Sequence, residues 1–77
     1  MSVLVNRITV NAGIMTGKPT IRGLRITVEQ ILKALAAGVS PDDLLEDYPD
    51  LEPEDFPAVL GFAADLVSET QMYAVAV

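Results

Sequence analysis

The fold is decided by the stretch TVEQILKALAAGVSPDD, residues 27–43. Its apolar side chains recur at positions 28, 31, 32, 35 and 36, the spacing of the buried stripe of an amphipathic helix. Thr27 is a favourable N-cap for this helix, and Gly38 suits the position after its last turn because glycine tolerates a positive φ. Ser40 and Pro41 then provide the N-cap and the first residue of a second helix. The stretch therefore predicts two helices joined by a tight turn.

A third helix is predicted after a second break in the chain. The Tyr48–Pro49 pair disfavours helical geometry at Tyr48, so the second helix is short. Pro53, followed by two acids, marks the start of the third helix, which continues to residue 69 although Pro57 removes one early hydrogen bond. The apolar stripe of this helix is predicted to comprise Phe56, Val59, Leu60, Ala63 and Val67.

The segment before the first helix has the composition of short strands and turns. Residues 7–10 alternate polar and apolar side chains, and a turn follows at residues 11–13. Residues 20–23 and 24–27 predict two brief extended pieces hinged at Gly23. This part of the chain is therefore expected to form a small β element.

Taken together, these patterns predict one domain, residues 1–77, that is mainly α with a small β element. Its expected parts are an N-terminal β arm or hairpin (residues 1–27), a homeodomain-like, helix-turn-helix-like bundle of three helices (residues 28–69) and a tail (residues 70–77). The apolar ends, residues 3–5 and 73–77, have the composition of strands that pair across a two-fold axis, so we expect a homodimer.

The composition excludes most kinds of catalysis. The chain has 77 residues, enough for one small core, and contains no histidine and no cysteine. Imidazole and thiol groups supply most general bases, nucleophiles and soft-metal ligands, so we expect no enzyme activity, no metal, no cofactor and no small-molecule substrate. The sequence has no pattern of a signal peptide or a membrane span, which predicts a cytoplasmic protein without membrane contact.

The charges are divided along the chain. All five basic side chains lie in residues 1–33 beside a single acid, whereas residues 34–77 contain ten acids and no base. The candidates for binding a phosphate backbone or an acidic protein are therefore Lys18, Arg22, Arg25 and Arg7. The alternative, to which we give equal weight, is that the arginines pair with acids of the helices, within this chain or across a dimer.

The segment NAGIMTGKPTIRGLRI, residues 11–26, together with the motif DYPDL at residues 47–51, resembles the domain-of-unknown-function family 433 (DUF433). The resemblance covers most of the chain, although Leu24 stands where the family commonly has threonine. Besides Lys18, Arg22 and Arg25, the motif contains five residues that we expect to be structural: Gly17, Pro19, Ile21, Gly23 and Ile26.

The resemblance implies a non-catalytic, helix-turn-helix-like antitoxin of a type II, VapBC-like toxin–antitoxin module. Such a protein neutralises a PIN-like ribonuclease, which is often encoded beside it, by protein–protein binding, and the resemblance suggests operator binding as a further property. PIN-type nucleases cut with a carboxylate cluster and a metal, so Arg22 or Arg25 is a candidate to plug that cluster. The alternatives are a DNA-binding transcriptional regulator that acts through the basic arm, and a structural homodimer.

Overall fold

The structure, a computed structural model, describes residues 7–69 as an antiparallel hairpin of two short strands followed by three helices. The elements, in chain order, are β1 (Ile8–Thr9), β2 (Thr20–Ile21), α1 (Val28–Ala36), α2 (Pro41–Asp47) and α3 (Asp55–Glu69). The predicted fold class, mainly helical with a small N-terminal sheet, is confirmed. The strand pairing predicted for residues 3–5 and 73–77 lies outside the described residues. Between residues 7 and 69, no helix is long and apolar enough to cross a bilayer.

The hairpin continues into a tight turn at the centre of the sequence motif. The strands β1 and β2 pair with Ile8 opposite Ile21. Directly after β2, Arg22 and Gly23 both have positive φ, 49° and 73°, and the Leu24 amide donates to the Ile21 carbonyl at 2.8 Å. Two consecutive positive φ angles are typical of a type I′ turn, in which glycine is favoured. The hinge predicted at Gly23 is this turn.

The ends of α1 and α2 follow the predicted capping residues. The Gln30 amide donates to Thr27 Oγ1 at 3.0 Å, and the Thr27 amide donates to Gln30 Oε1 at 2.8 Å, which together form a capping box. Gly38 has a φ of 92° just after α1. The Asp43 amide donates to Ser40 Oγ at 3.1 Å at the start of α2. The predicted tight turn between the two helices is confirmed.

The third helix, α3, begins at Asp55, two residues later than the start predicted at Pro53. The turn between them is closed by two bonds of the 3₁₀ type: the Asp55 amide donates to the Glu52 carbonyl at 2.9 Å, and the Phe56 amide to the Pro53 carbonyl at 3.3 Å. The Asp55 carboxylate also reaches back to accept from the Glu52 amide at 2.8 Å. The side chain of Asp55 thus satisfies a backbone donor at the entrance to the helix.

The core lies where the hairpin meets the three helices. Its buried apolar residues are Ile21, Val28, Ile31, Leu44, Leu51, Phe56, Ala58 and Val59. The stripe predicted for α3 is wrong in part, because Phe56 and Val59 are buried whereas Leu60 and Val67 are 52% and 61% exposed. The sequence of α3 is apolar on nearly every side, so its periodicity does not select the side that faces the core.

Candidate functional site

Two of the predicted binding residues, Arg7 and Arg22, converge on the buried carboxylate of Asp55. The Asp55 side chain is only 1% exposed. Its Oδ1 accepts from Arg7 Nη1 at 3.0 Å and from Arg22 Nε at 3.1 Å, and its Oδ2 accepts from Arg22 Nη2 at 3.0 Å. Hydrogen bonds in which both donor and acceptor are charged are stronger than those between neutral groups. The two arginines therefore join the hairpin to the first turn of α3.

The surrounding groups complete the hydrogen bonding of what we call the arginine–aspartate cluster (Arg7, Arg22, Glu52 and Asp55). Arg7 Nη1 also donates to Glu52 Oε1 at 2.7 Å, and Arg22 Nη2 donates to the Asp50 carbonyl at 2.5 Å. In the described part of the chain, no buried side-chain nitrogen or oxygen lacks a hydrogen-bond partner. A buried carboxylate is tolerated in a fold when it is paired and hydrogen-bonded in this way.

The pKa shifts in the cluster favour the charged forms. Burial by itself raises the pKa of the Asp55 carboxyl. Hydrogen bonds from Arg22, the Glu52 amide and Arg7 have the larger combined effect, so this pKa lies below its usual value. Hydrogen bonding to Glu52, and then to Asp55, raises the pKa of Arg7; hydrogen bonding to Asp55 raises the pKa of Arg22. The sequence leaves two alternatives for Arg22, a contact with a partner or an ion pair with an acid of the helices. The structure contains the ion pair, which joins Arg22 to Asp55.

Lys18, a third candidate, belongs to an exposed ion triplet. Lys18 Nζ lies 2.8 Å from Glu29 Oε1, and Lys33 Nζ lies 3.0 Å from Glu29 Oε2. Hydrogen bonds from Lys18 and then Lys33 lower the pKa of Glu29 to about 2. The three side chains are 47–77% exposed, so water and salt screen both pairs and each stabilises the fold little.

Arg25, the fourth candidate, differs from the other three. It is exposed and lies just after the tight turn that Arg22 and Gly23 form. Its guanidinium makes no ion pair or hydrogen bond with any group of residues 7–69. The four candidates therefore differ in their contacts. Arg7 and Arg22 bind Asp55, and Lys18 pairs with Glu29 at the surface. Arg25 has no ion-pair partner in residues 7–69.

The five motif residues predicted to be structural all lie in or beside the hairpin. Gly17 and Gly23 have positive φ angles of 81° and 73°. Ile21 is fully buried in the core. The carbonyls of Pro19 and Ile26 each accept a backbone hydrogen bond at 3.0 Å, which holds the segment after the turn against β2 and α1. These contacts position the turn that carries Arg25.

A groove between α1 and α3 is a second candidate site, which the sequence analysis does not predict. It has a volume of about 230 Å³, and its apolar lining comprises Pro19, Val28, Leu32, Phe62, Ala63 and Leu66. Glu29 and Lys33 also line it and supply its charged edge. The signal in the sequence is the low charge of α3, in which Asp65 is the single charged residue between Asp55 and Glu69. No group of three acidic side chains in residues 7–69 is placed to hold a metal ion.

One of the three comparisons with known proteins finds a family. The model of a family described as "Protein of unknown function (DUF433)" matches residues 8–63. This range contains the hairpin, α1, α2 and the first part of α3, and therefore both the arginine–aspartate cluster and Arg25. A comparison with curated proteins finds no match, and neither does a comparison with solved structures.

Proposed function

The chain belongs to the DUF433 family, and from this premise we propose that it is a non-catalytic antitoxin that neutralises a PIN-like ribonuclease by direct protein–protein contact. The absence of histidine and cysteine supports a non-catalytic role. The observation that carries the proposal is Arg25, an exposed cation without an ion-pair partner in residues 7–69. Arginine binds carboxylates with a planar, two-pronged geometry, so it suits the acidic metal site of such a nuclease.

The turn beside Arg25 is held in place before any partner binds. The Arg22 amide donates to the Arg7 carbonyl at 2.7 Å, and the Gly23 amide donates to Thr9 Oγ1 at 2.9 Å. Because the backbone next to Arg25 is already ordered, placing Arg25 in a partner's site costs the rotamer entropy of its side chain but little backbone entropy. A rigid turn with one free guanidinium is therefore a suitable inhibitory contact.

Arg22 is less suited to that contact than Arg25. Moving the Arg22 guanidinium into a partner would remove two of the three arginine hydrogen bonds on the buried Asp55 carboxylate. Breaking a buried ion pair in this way costs about 3–5 kcal/mol. We therefore propose that Arg25 contacts the carboxylate cluster of the nuclease and that Arg22 has a structural role.

The test starts from the reading frames beside the gene of this chain, where the proposal predicts a PIN-like nuclease, and co-expresses that nuclease with this chain. Arg25→Gln removes one exposed positive charge, and the control Asp42→Asn removes one exposed charge on α2, away from the arm and from the groove. We expect Arg25→Gln to lose neutralisation, measured as growth of cells that express the nuclease, and Asp42→Asn to neutralise like the unaltered chain. Full neutralisation by Arg25→Gln would contradict the proposal.

Operator binding through the basic arm remains a prediction from the sequence. Three of its four cations, Arg7, Lys18 and Arg22, already contact carboxylates of the chain, so fewer charges are available to phosphates. A gel-shift titration against the upstream DNA at several salt concentrations measures this. A steep loss of affinity with salt would show phosphate contacts, because these contacts release counterions, whereas flat or absent binding would exclude the regulator.

A further inference from the structure

We propose that the groove between α1 and α3, together with the adjoining exposed face of α3 (Leu60, Ala64 and Val67), binds a second copy of this chain. We call the groove and this face the α1–α3 surface. The proposal is independent of the antitoxin proposal because it requires no nuclease.

The α1–α3 surface is a continuous apolar area on a very small domain. Leu60, Ala64 and Val67 are spaced at i, i+4 and i+7, so they lie on one face of α3, and Ala63 connects that face to the groove. Leu60, Leu66 and Val67 are each more than half exposed. Contiguous exposed apolar side chains mark interaction sites, and a helix that is apolar on all sides is usually buried on all sides.

The shape of α3 suits another helix. The exposed line from Leu60 to Val67 spans two helical turns. Ala64 lies within this line and Ala63 beside it, and both side chains are small, so a second α3 can approach closely, with its own Leu60 and Val67 packed against the same residues. A two-fold contact of this kind is isologous, because the same surface is used by both copies. A core of this size benefits from the additional burial.

The charges at the edge of the groove favour a second copy over a partner of uniform charge. Lys18, Glu29 and Lys33 form an edge with both signs of charge. When two α1 helices meet antiparallel, Lys33 of each copy comes opposite Glu29 of the other, which makes the edge self-complementary. The α2 helix, Pro41–Asp47, contains four acids and no base, so two copies repel each other there.

The first test measures the mass of the full chain by analytical ultracentrifugation. We expect a dimer whose dissociation constant rises by at least about 100-fold in Leu60→Asp and in Val67→Asp, because each substitution places a charge in the apolar contact twice per dimer. Val10→Asp is the matched control, an apolar residue 65% exposed and off the α1–α3 surface. Circular dichroism checks that each variant keeps its helices.

The second test uses the edge charges. Lys33→Glu places like charges opposite each other in a homodimer, and so does Glu29→Lys. In a mixture of the two variants, every cross-subunit pair is again attractive. We expect each single variant to dimerise about 10-fold more weakly and the mixture to form heterodimers with nearly the original affinity. Repulsion confined to one α1 helix would not be relieved by mixing.

Three results would overturn the proposal. The first is a chain that stays monomeric at the highest concentration at which it remains dissolved. The second is a dimer that Leu60→Asp and Val67→Asp leave intact, which would place the contact elsewhere on the chain. The third is loss of nuclease binding in these two variants with an unchanged dimer, which would make the nuclease the occupant of this surface.

Discussion

The two ends of α3 differ in what they expose to solvent. At its start, a carboxylate that is 1% exposed is bonded to two arginines of the arm. Further along the helix, Leu60 and Val67 are 52% and 61% exposed. The sequence predicts that Arg7 and Arg22 bind a partner, yet in the structure both bind Asp55 at the start of α3. The comparison teaches that, in a domain this small, a charged side chain singled out from the sequence can already be paired within the fold, so its contacts must be known before it is assigned to a partner.

The largest expected effect is at the charged end. Asp55→Asn removes the negative charge that both arginines share, so Arg22 loses its main partner and Arg7 loses one of its two. We expect a loss of about 3–5 kcal/mol in the free energy of unfolding. This is as large as the roughly 3–5 kcal/mol that so small a core supplies, so the variant should be largely unfolded by circular dichroism.

The matched substitution at the other end of α3 is Asp65→Asn. Asp65 is exposed, and its side chain makes no ion pair with any group in residues 7–69. We expect a change within about 0.5 kcal/mol in urea unfolding. Equal urea midpoints for Asp55→Asn and Asp65→Asn would show that the arginine–aspartate cluster does not stabilise the fold.

The second prediction compares the effect of an alanine substitution on stability at two glycines, Gly23 and Gly61. Gly23 has a φ of 73° in the tight turn, so Gly23→Ala should destabilise the fold by about 1–2 kcal/mol. Gly61 lies inside α3, and a Cβ added there meets no atom within 4 Å. Gly61→Ala should therefore stabilise the fold by about 0.5–1 kcal/mol. Shifts of the same sign in the two urea midpoints would contradict this account of the turn.

The third effect is on acid stability. The pKa of Asp55 is lowered in the folded chain, so its stabilisation is complete above the unfolded value of about 3.9 and is lost as the pH falls through the folded value. Glu29, with a folded pKa of about 2, loses its contribution between about 4.3 and that value. Because the Glu29 pairs are exposed, about 1 M salt should screen them while leaving the buried Asp55 contribution. If about 1 M salt moves the pH midpoint of acid unfolding far upward, the acid stability depends mainly on the exposed Glu29 pairs and not on Asp55, which would contradict this prediction.

The smallest effect is that of Glu29→Gln at neutral pH. Its two ion pairs are solvent-exposed, so removing them should leave the midpoint of urea unfolding nearly unchanged. Urea unfolding of the variant beside the unaltered chain measures the difference. A loss close to that of Asp55→Asn would mean that the exposed triplet, not the buried cluster, is the main electrostatic support of the fold.

Local sequence signals predict much of this fold. Thr27, Gly38 and Ser40 predict the limits of α1 and α2 because caps and positive-φ positions depend on nearby residues. The start of α3 is misplaced because the 3₁₀ turn at Pro53 and the backward bond from Asp55 replace a regular first turn. Leu60 is misassigned because an apolar helix does not show from its period which side is buried.

The candidate site is less accessible to sequence reasoning than the fold. Charge composition singles out Arg7, Lys18, Arg22 and Arg25 together, but tertiary contacts decide which of these cations lacks an ion-pair partner within residues 7–69. Arg22 and Asp55 are 33 residues apart in sequence, so no local pattern pairs them. The groove between α1 and α3 depends in the same way on how two distant helices pack.

The most direct test of the central claim is the affinity of the purified chain for the PIN-like nuclease that the proposal predicts, measured by titration calorimetry for Arg25→Gln and Asp42→Asn. The account predicts binding at least about 10-fold weaker for Arg25→Gln, the loss of one charged hydrogen-bonding contact, and unchanged binding for Asp42→Asn. Equal affinities of the two variants would contradict the claim that recognition uses the one arm arginine that has no partner within residues 7–69.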